Sequence, residues 1–253
     1  EGLQLAEALL EQIEQIRKTI SSSVARAARD RARYVVADLL LLKARYAPNN
    51  QALHDNATTA AEQLMKSSGD DEMRFRARSL LAQCALEARD FKTLDLLIVS
   101  LNSMAENEVQ QMNVAALKLR GLLKRGQPSE ALQLSLDLEK RSIRSEELNT
   151  LRLAALLSLY ELLHKLEASD LRQKTTDEFY SLQRRLVHVN KGVWQECCER
   201  IALRFSHVAQ FGPEAATAIE SVTDLIATGD LSGARIVLLN MRPSFERSNP
   251  RIA

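Results

Sequence analysis

The sequence predicts an all-α protein assembled from antiparallel helix hairpins, and three observations predict it. The first is the scarcity of chain breakers. There are 8 Gly and 5 Pro in 253 residues, where average usage would give about 18 and 13. The second is that Leu and Ala make up roughly 30 per cent of the chain, and both are strong helix formers. A β-sandwich or barrel would need many turn residues, and an α/β fold would need β-branched strand runs; neither is present. The third is spacing. Apolar residues recur at helical intervals nearly everywhere, with links of two to four residues, and short links force neighbouring helices antiparallel.

The hydrophobic fraction of 45% is enough for a core, and the aromatic fraction of 4% predicts that this core is aliphatic. The net charge of +1 creates no global field that would draw in nucleic acid or an anionic membrane. No apolar run reaches the ~18 residues of a membrane span. The longest candidate, Val35 to Leu42, contains Asp38. Three cysteines form no disulfide framework, which favours a reducing compartment and the cytoplasm. The chain starts at Glu1 rather than Met and reads as a piece of a longer protein.

Taken in order, Leu5, Leu9, Ile13, Ile16 and Ile20 form one helical stripe, expected to pack on the next helix, with pairing to a second copy as the alternative. Ser21 to Ser23 breaks the chain. A second helix runs from about Val24 to Tyr46 and stops at Pro48, because a proline disfavours helix at the preceding Ala47. Asn49 or Asn50 caps a third helix that ends near Ser67. Gly69 closes it, and Asp70 opens the next, with Asp71 and Glu72 well placed against its dipole. Further helices are expected at about 71–88, 91–104, 107–125, 128–141, 145–167, 170–189, 191–210, 214–228 and 231–241. The tail 242–253, with Pro243 and Pro250, reads as irregular. Val35 to Leu42 and Leu151 to Leu163 are apolar nearly all round, so both are expected inside the array. The domain plan is therefore 1–67 for helices packing on the array, 70–241 for the array and 242–253 for the tail.

An internal echo runs through the middle of the chain. RDFKTLD (Arg89 to Asp95) aligns with GQPSEAL (Gly126 to Leu132) 37 residues later, and GDLSGAR (Gly229 to Arg235) follows 103 residues after that. Each is a tight turn followed by a small or aliphatic residue opening a second helix. Gly126 and Gly229 suit a left-handed helix cap, and Pro128 suits a first helical turn.

Gly126 with Ala131, Gly229 with Ala234, and the small Ala82 make the chain resemble the tetratricopeptide superfamily of helical repeats over about 70–141 and 214–241. Leu119 stands where the family has its small residue in the second unit, with Gly121 two places away. The resemblance implies a right-handed α-solenoid of antiparallel helix hairpins whose concave face binds a peptide or protein. That face would carry Arg76, Gln83 and Glu87 in one unit and Asn113, Arg120 and Lys124 in the next. Amides and cations on a rigid helix can clamp a carboxylate, although solvated surface groups would look the same.

A second candidate is the basic stretch 17–46, with Arg17, Lys18, Arg26, Arg29, Arg31, Arg33, Lys43 and Arg45 against Asp30 and Asp38. Arg26, Arg29 and Arg33 share one helical face and could meet an acidic partner. A solvated face paired with Asp30 and with the glutamates of residues 1–16 is the simpler explanation, because charge runs of this size are common on helices. Cys197 and Cys198 lie on a stripe with Val193, Trp194, Ile201, Phe205 and Val208, where cysteine acts as a small hydrophobe. His207 is out of phase with Cys198, and no metal-ligand spacing occurs. The histidines His54, His164, His188 and His207 are scattered, and no catalytic motif is visible.

The expected function is a non-catalytic scaffold or adaptor that binds a protein or peptide, with an acidic partner as one option. No cofactor, metal or membrane insertion is expected, and homo-oligomerisation stays open. The rival readings are a nucleic-acid-binding helical repeat, which lacks aromatic stacking partners, and a sensor or structural domain of a multidomain regulator.

Overall fold

The computed structural model describes residues 2–16, 22–47, 49–141 and 143–248. Among them there are twelve helices and no strand: α1 Gly2–Ile16, α2 Ser22–Tyr46, α3 Gln51–Ser67, α4 Asp71–Glu87, α5 Phe91–Met104, α6 Glu108–Lys124, α7 Pro128–Lys140, α8 Glu146–Lys165, α9 Ser169–Leu186, α10 Gly192–Phe211, α11 Pro213–Ala227 and α12 Leu231–Ser248. Arg17, Lys18, Ile20, Ser21, Pro48 and Pro250, which the sequence singled out, lie outside the described residues.

Local chemistry fixes the helix ends. Asn50, Asp90, Asn107 and Ser145 each accept a hydrogen bond from the backbone N–H three residues on, which satisfies one orphan donor of α3, α5, α6 and α8. Pro128 and Pro213 occupy the first turns of α7 and α11. The tight links share one device. Arg89, Gly126, Glu167 and Gly229 all have φ between 56° and 82°. After three of them the next N–H reaches back to a carbonyl five residues earlier: Asp90 to Ala85, Ala168 to Leu163 and Asp230 to Leu225. This left-handed closure ties off helix carbonyls that would otherwise lack partners. Arg89 thus occupies the position that Gly126 fills 37 residues later, and a side chain there is conformationally strained.

The chain divides into two compact units, Glu1–Arg125 and Gly126–Ala253. In the first unit α2, α4 and α6 pack side by side. α3 bridges α2 and α4, α5 bridges α4 and α6, and α1 packs on α2. Small residues set these approaches. Ala57, Ala61, Ala77 and Ala82 are fully buried. At Gly121 an added Cβ would lie 3.1 Å from the Leu94 side chain, so Gly121, and not the buried Leu119, lets α6 close on α5. In the second unit α8 touches α7, α9 and α10, and α11 touches α10 and α12. α8 is flanked by three helices, as its apolar surface predicts, although Leu162 is exposed.

Four expectations are corrected. α1 does pack on α2, with Gly2 beside Leu39, and Leu3 and Leu10 are half-buried, while the side chains of Ile13 and Ile16 lie outside the described residues. Leu5 and Leu9 stand exposed, because Leu3 and Leu10 lie on the opposite side of a 3.6-residue helix. α2 is not covered all round: Val35 and Leu42 are exposed. Helix α12 continues through Pro243 to Ser248, past the expected break at 242; a proline removes one backbone hydrogen bond and need not end a helix near its terminus. The core is also not wholly aliphatic. Phe179 and Phe205 are fully buried and stack at 3.8 Å between centroids, with Tyr160 4.6 Å from Phe205. These three rings share one centre among α8, α9 and α10, and Phe75 adds a buried ring to the core of the first unit.

Candidate functional site

The face built by α2, α4 and α6 gathers most of the residues that the sequence proposed for a groove. α4 presents Glu72, Arg76, Gln83 and Glu87 in steps of four, seven and four, so they line one side of the helix. Residues 37 or 38 positions away lie on the adjacent helices, and side chains join across the gap. Arg45 of α2 donates from Nη2 to Gln83 Oε1 at 2.8 Å and from Nε to Glu87 Oε1 at 3.0 Å. Lys124 of α6 closes on Glu87 from the other side and reaches the Leu86 carbonyl at 3.4 Å. Burial of the Glu87 carboxyl works against its charge. The hydrogen bond and charge of Lys124, with Arg45, outweigh it and hold its pKa below the ordinary value.

A second cluster lies further along the same face. Arg76 donates from Nε to Glu72 Oε1 at 2.8 Å, and its guanidinium lies 5.8 Å from the centroid of the Tyr34 ring. Gln110 of α6 donates to Glu72 Oε2 at 2.7 Å. The hydrogen bond from Arg76 is the main cause of the lowered Glu72 pKa. Burial, then the nearby Asp38 charge, raises the Tyr34 phenol.

Gln83 and Lys124 are therefore occupied by partners within the protein. Asn113 is exposed and makes no hydrogen bond among the described residues. Arg120 is half-buried and has a partner of its own. Arg76 keeps about half of its side-chain surface in solvent despite its ion pair. The face that results is polar and cross-linked, with Arg76 and Asn113 as exposed groups and Arg120 half-buried.

Arg26, Arg29 and Arg33 are explained in part by the end of α3. Arg33 donates to Ser67 Oγ at 3.0 Å, and a guanidinium nitrogen of Arg26 lies 3.8 Å from where a Gly69 Cβ would be. Cations there complement the negative end of the α3 dipole. Arg29 lies 3.9 Å from buried Asp30. Glu7 and Glu11 of α1 are exposed.

Several polar groups had no legible signal in the sequence. Asn190 is buried and donates to Thr150 Oγ1 at 3.1 Å and Cys198 Sγ at 3.2 Å. Buried Arg152 bridges Glu139 and Glu178 within the apolar α8, and Arg204 bridges Glu161 and Glu220. Their partners are 8 to 43 residues away, so no local pattern announces them. Cys198 belongs to the core of the second unit, as its apolar stripe implies, whereas Val193 of the same stripe is exposed. Cys84 floors a cleft of about 380 Å³ between α3, α4 and α5, and burial pushes its thiol pKa up. Among the described residues no trio of His, Cys, Asp or Glu is placed to hold a metal ion, and no helix is long and apolar enough to cross a membrane. No family model, curated protein or solved structure matches this chain.

Proposed function

We propose that the protein is a non-catalytic binding module, a degenerate tetratricopeptide-like array whose α2/α4/α6 face receives a carboxylate-bearing peptide or protein segment. One observation carries the reading: side chains about one repeat apart brace three adjacent helices through Arg45–Gln83, Glu72–Gln110 and Glu87–Lys124. Braced side chains lose little freedom when a ligand lands, so a prearranged polar face binds at a smaller entropic cost. Arg76 offers a half-exposed guanidinium fork, which suits planar carboxylates, and exposed Asn113 offers an amide.

Selection from a library of displayed peptides, followed by calorimetric titration of the winners, tests this reading. Replacing Arg76 and Asn113 together by Ala should weaken the selected peptide by about tenfold or more, equivalent to at least one charge-assisted hydrogen bond. A library that yields no binder, or binding untouched by the double change, would refute it. Binding of the basic Arg26/Arg29/Arg33 face to nucleic acid makes a different forecast: affinity that falls steeply with salt.

A further inference from the structure

Helix α2 carries an apolar stripe that its own unit leaves open. Val24, Val35 and Leu42 are 59%, 45% and 45% exposed, and Tyr46 is 84% exposed. Single exposed apolar residues are ordinary, but these share one face. Positions 24, 28, 31, 35, 38 and 42 alternate steps of four and three, the heptad spacing of a helix that pairs with another helix. Ala28 is half-buried, and the two remaining positions are Arg31 and Asp38, both exposed. Among the described residues neither forms an ion pair within the chain. The opposite side of α2 is occupied: Ala37, Leu41 and Ala44 are buried, Ala37 and Leu41 in one core cluster with residues of α3 and α4, while α1 packs on α2 beside Leu39, at the border of the stripe.

We propose that this stripe is the seam of a homodimer, in which α2 pairs antiparallel with α2 of a second copy. The charge pattern selects both the occupant and the direction. Parallel self-pairing would set Arg31 beside the partner's Arg31 and Asp38 beside the partner's Asp38. Antiparallel pairing, with Val24 against the partner's Leu42 and Arg31 against the partner's Val35, brings the partner's Asp38 within one turn of Arg31, about 4.5 Å along the axis. Two-fold symmetry repeats the contact, so two charge pairs form and the interface is self-complementary. The apolar positions supply the burial and the Arg31–Asp38 pairs fix the direction. The seam borders the polar face, since Asp38 lies near Tyr34, but the pairing does not depend on binding there.

Light scattering on the eluting protein tests the proposal. The wild-type chain should run at twice 28.4 kDa. Val35→Asp changes an exposed residue, so it should keep the helical circular dichroism and run as a monomer. Arg31→Asp and Asp38→Arg should each weaken the dimer by about tenfold at low salt, because each creates like-charge contacts. Mixing these two variants should restore it, since the new carboxylate at 31 meets the new guanidinium at 38 and the native pair re-forms alongside. A wild-type mass of 28.4 kDa at high concentration would overturn the proposal. So would a dimer that survives Val35→Asp, or a mixture that recovers nothing.

Discussion

Gln110 of α6 donates from Nε2 to Glu72 Oε2 of α4 at 2.7 Å, and the two residues are 38 positions apart. Gln110 is buried and also accepts the Glu106 N–H at 2.7 Å. One amide therefore ties two parallel-layer helices together and closes the entry to α6. Gln110→Ala would leave the Glu106 N–H without that acceptor and Glu72 without one donor. The expected loss is about 1–3 kcal/mol of stability, the usual cost of an unsatisfied buried polar group. Urea unfolding of the two proteins checks it, with Asn113→Ala, which breaks no hydrogen bond, as a near-neutral control.

Glu87 makes a forecast about pH. Its folded pKa lies below the ordinary value of 4.5, so in the acid range the unfolded chain binds more protons. The stability it contributes is present above about pH 4.5 and is lost as pH falls through the lowered folded value. Glu72 acts in the same direction. Glu87→Gln should therefore flatten the dependence of unfolding free energy on pH below that point, and leave the slope near neutrality unchanged. Melts of both proteins across the acid range read this directly.

Arg89 and Glu167 hold φ at 56°, a conformation that costs an L side chain roughly 1–2 kcal/mol. Gly126 and Gly229 fill the same turn position without that cost. Arg89→Gly and Glu167→Gly should each stabilise the protein by roughly 0.5–1 kcal/mol, because glycine's larger unfolded-state freedom returns part of the gain. Both side chains are exposed, so little packing is lost. A rise of a few degrees in Tm is the expected readout.

Phe205 stacks on Phe179 and lies against Tyr160 at the centre of the second unit. Phe205→Ala should cost about 3–5 kcal/mol, the range for emptying a buried aromatic site. Amide exchange should speed up in α8, α9 and α10, whose side chains share that cluster.

Much of the helix layout was legible because it depends on local signals. From residue 71 onward, helical periodicity, capping residues and the Gly/Pro junctions place the helix ends close to where they fall. The 37-residue echo also acquires a physical meaning. Gln83 meets Arg45, Gln110 meets Glu72 and Lys124 meets Glu87, so the period marks positions that face each other on adjacent helices. What stayed hidden depends on partners distant in sequence. Arg152 inside apolar α8 makes sense only beside Glu139 and Glu178, and buried Asn190 only beside Thr150 and Cys198. The candidate groove was legible as a row of residue types. Its chemistry was not, because Gln83 and Lys124 are engaged by Arg45 and Glu87, while Arg76 and Asn113 stay exposed. α1 shows the same limit in apolar form: its stripe predicts a helix correctly, yet Leu5 and Leu9 of that stripe stand exposed.

The most direct measurement of the central claim is hydrogen–deuterium exchange of the chain with and without a saturating selected peptide. If the α2/α4/α6 face binds, protection should rise in α4 and α6 segments containing Arg76, Asn113 and Arg120, while α3 and α5 stay unchanged. Protection confined to α3 and α5, or to the second unit, would contradict the account.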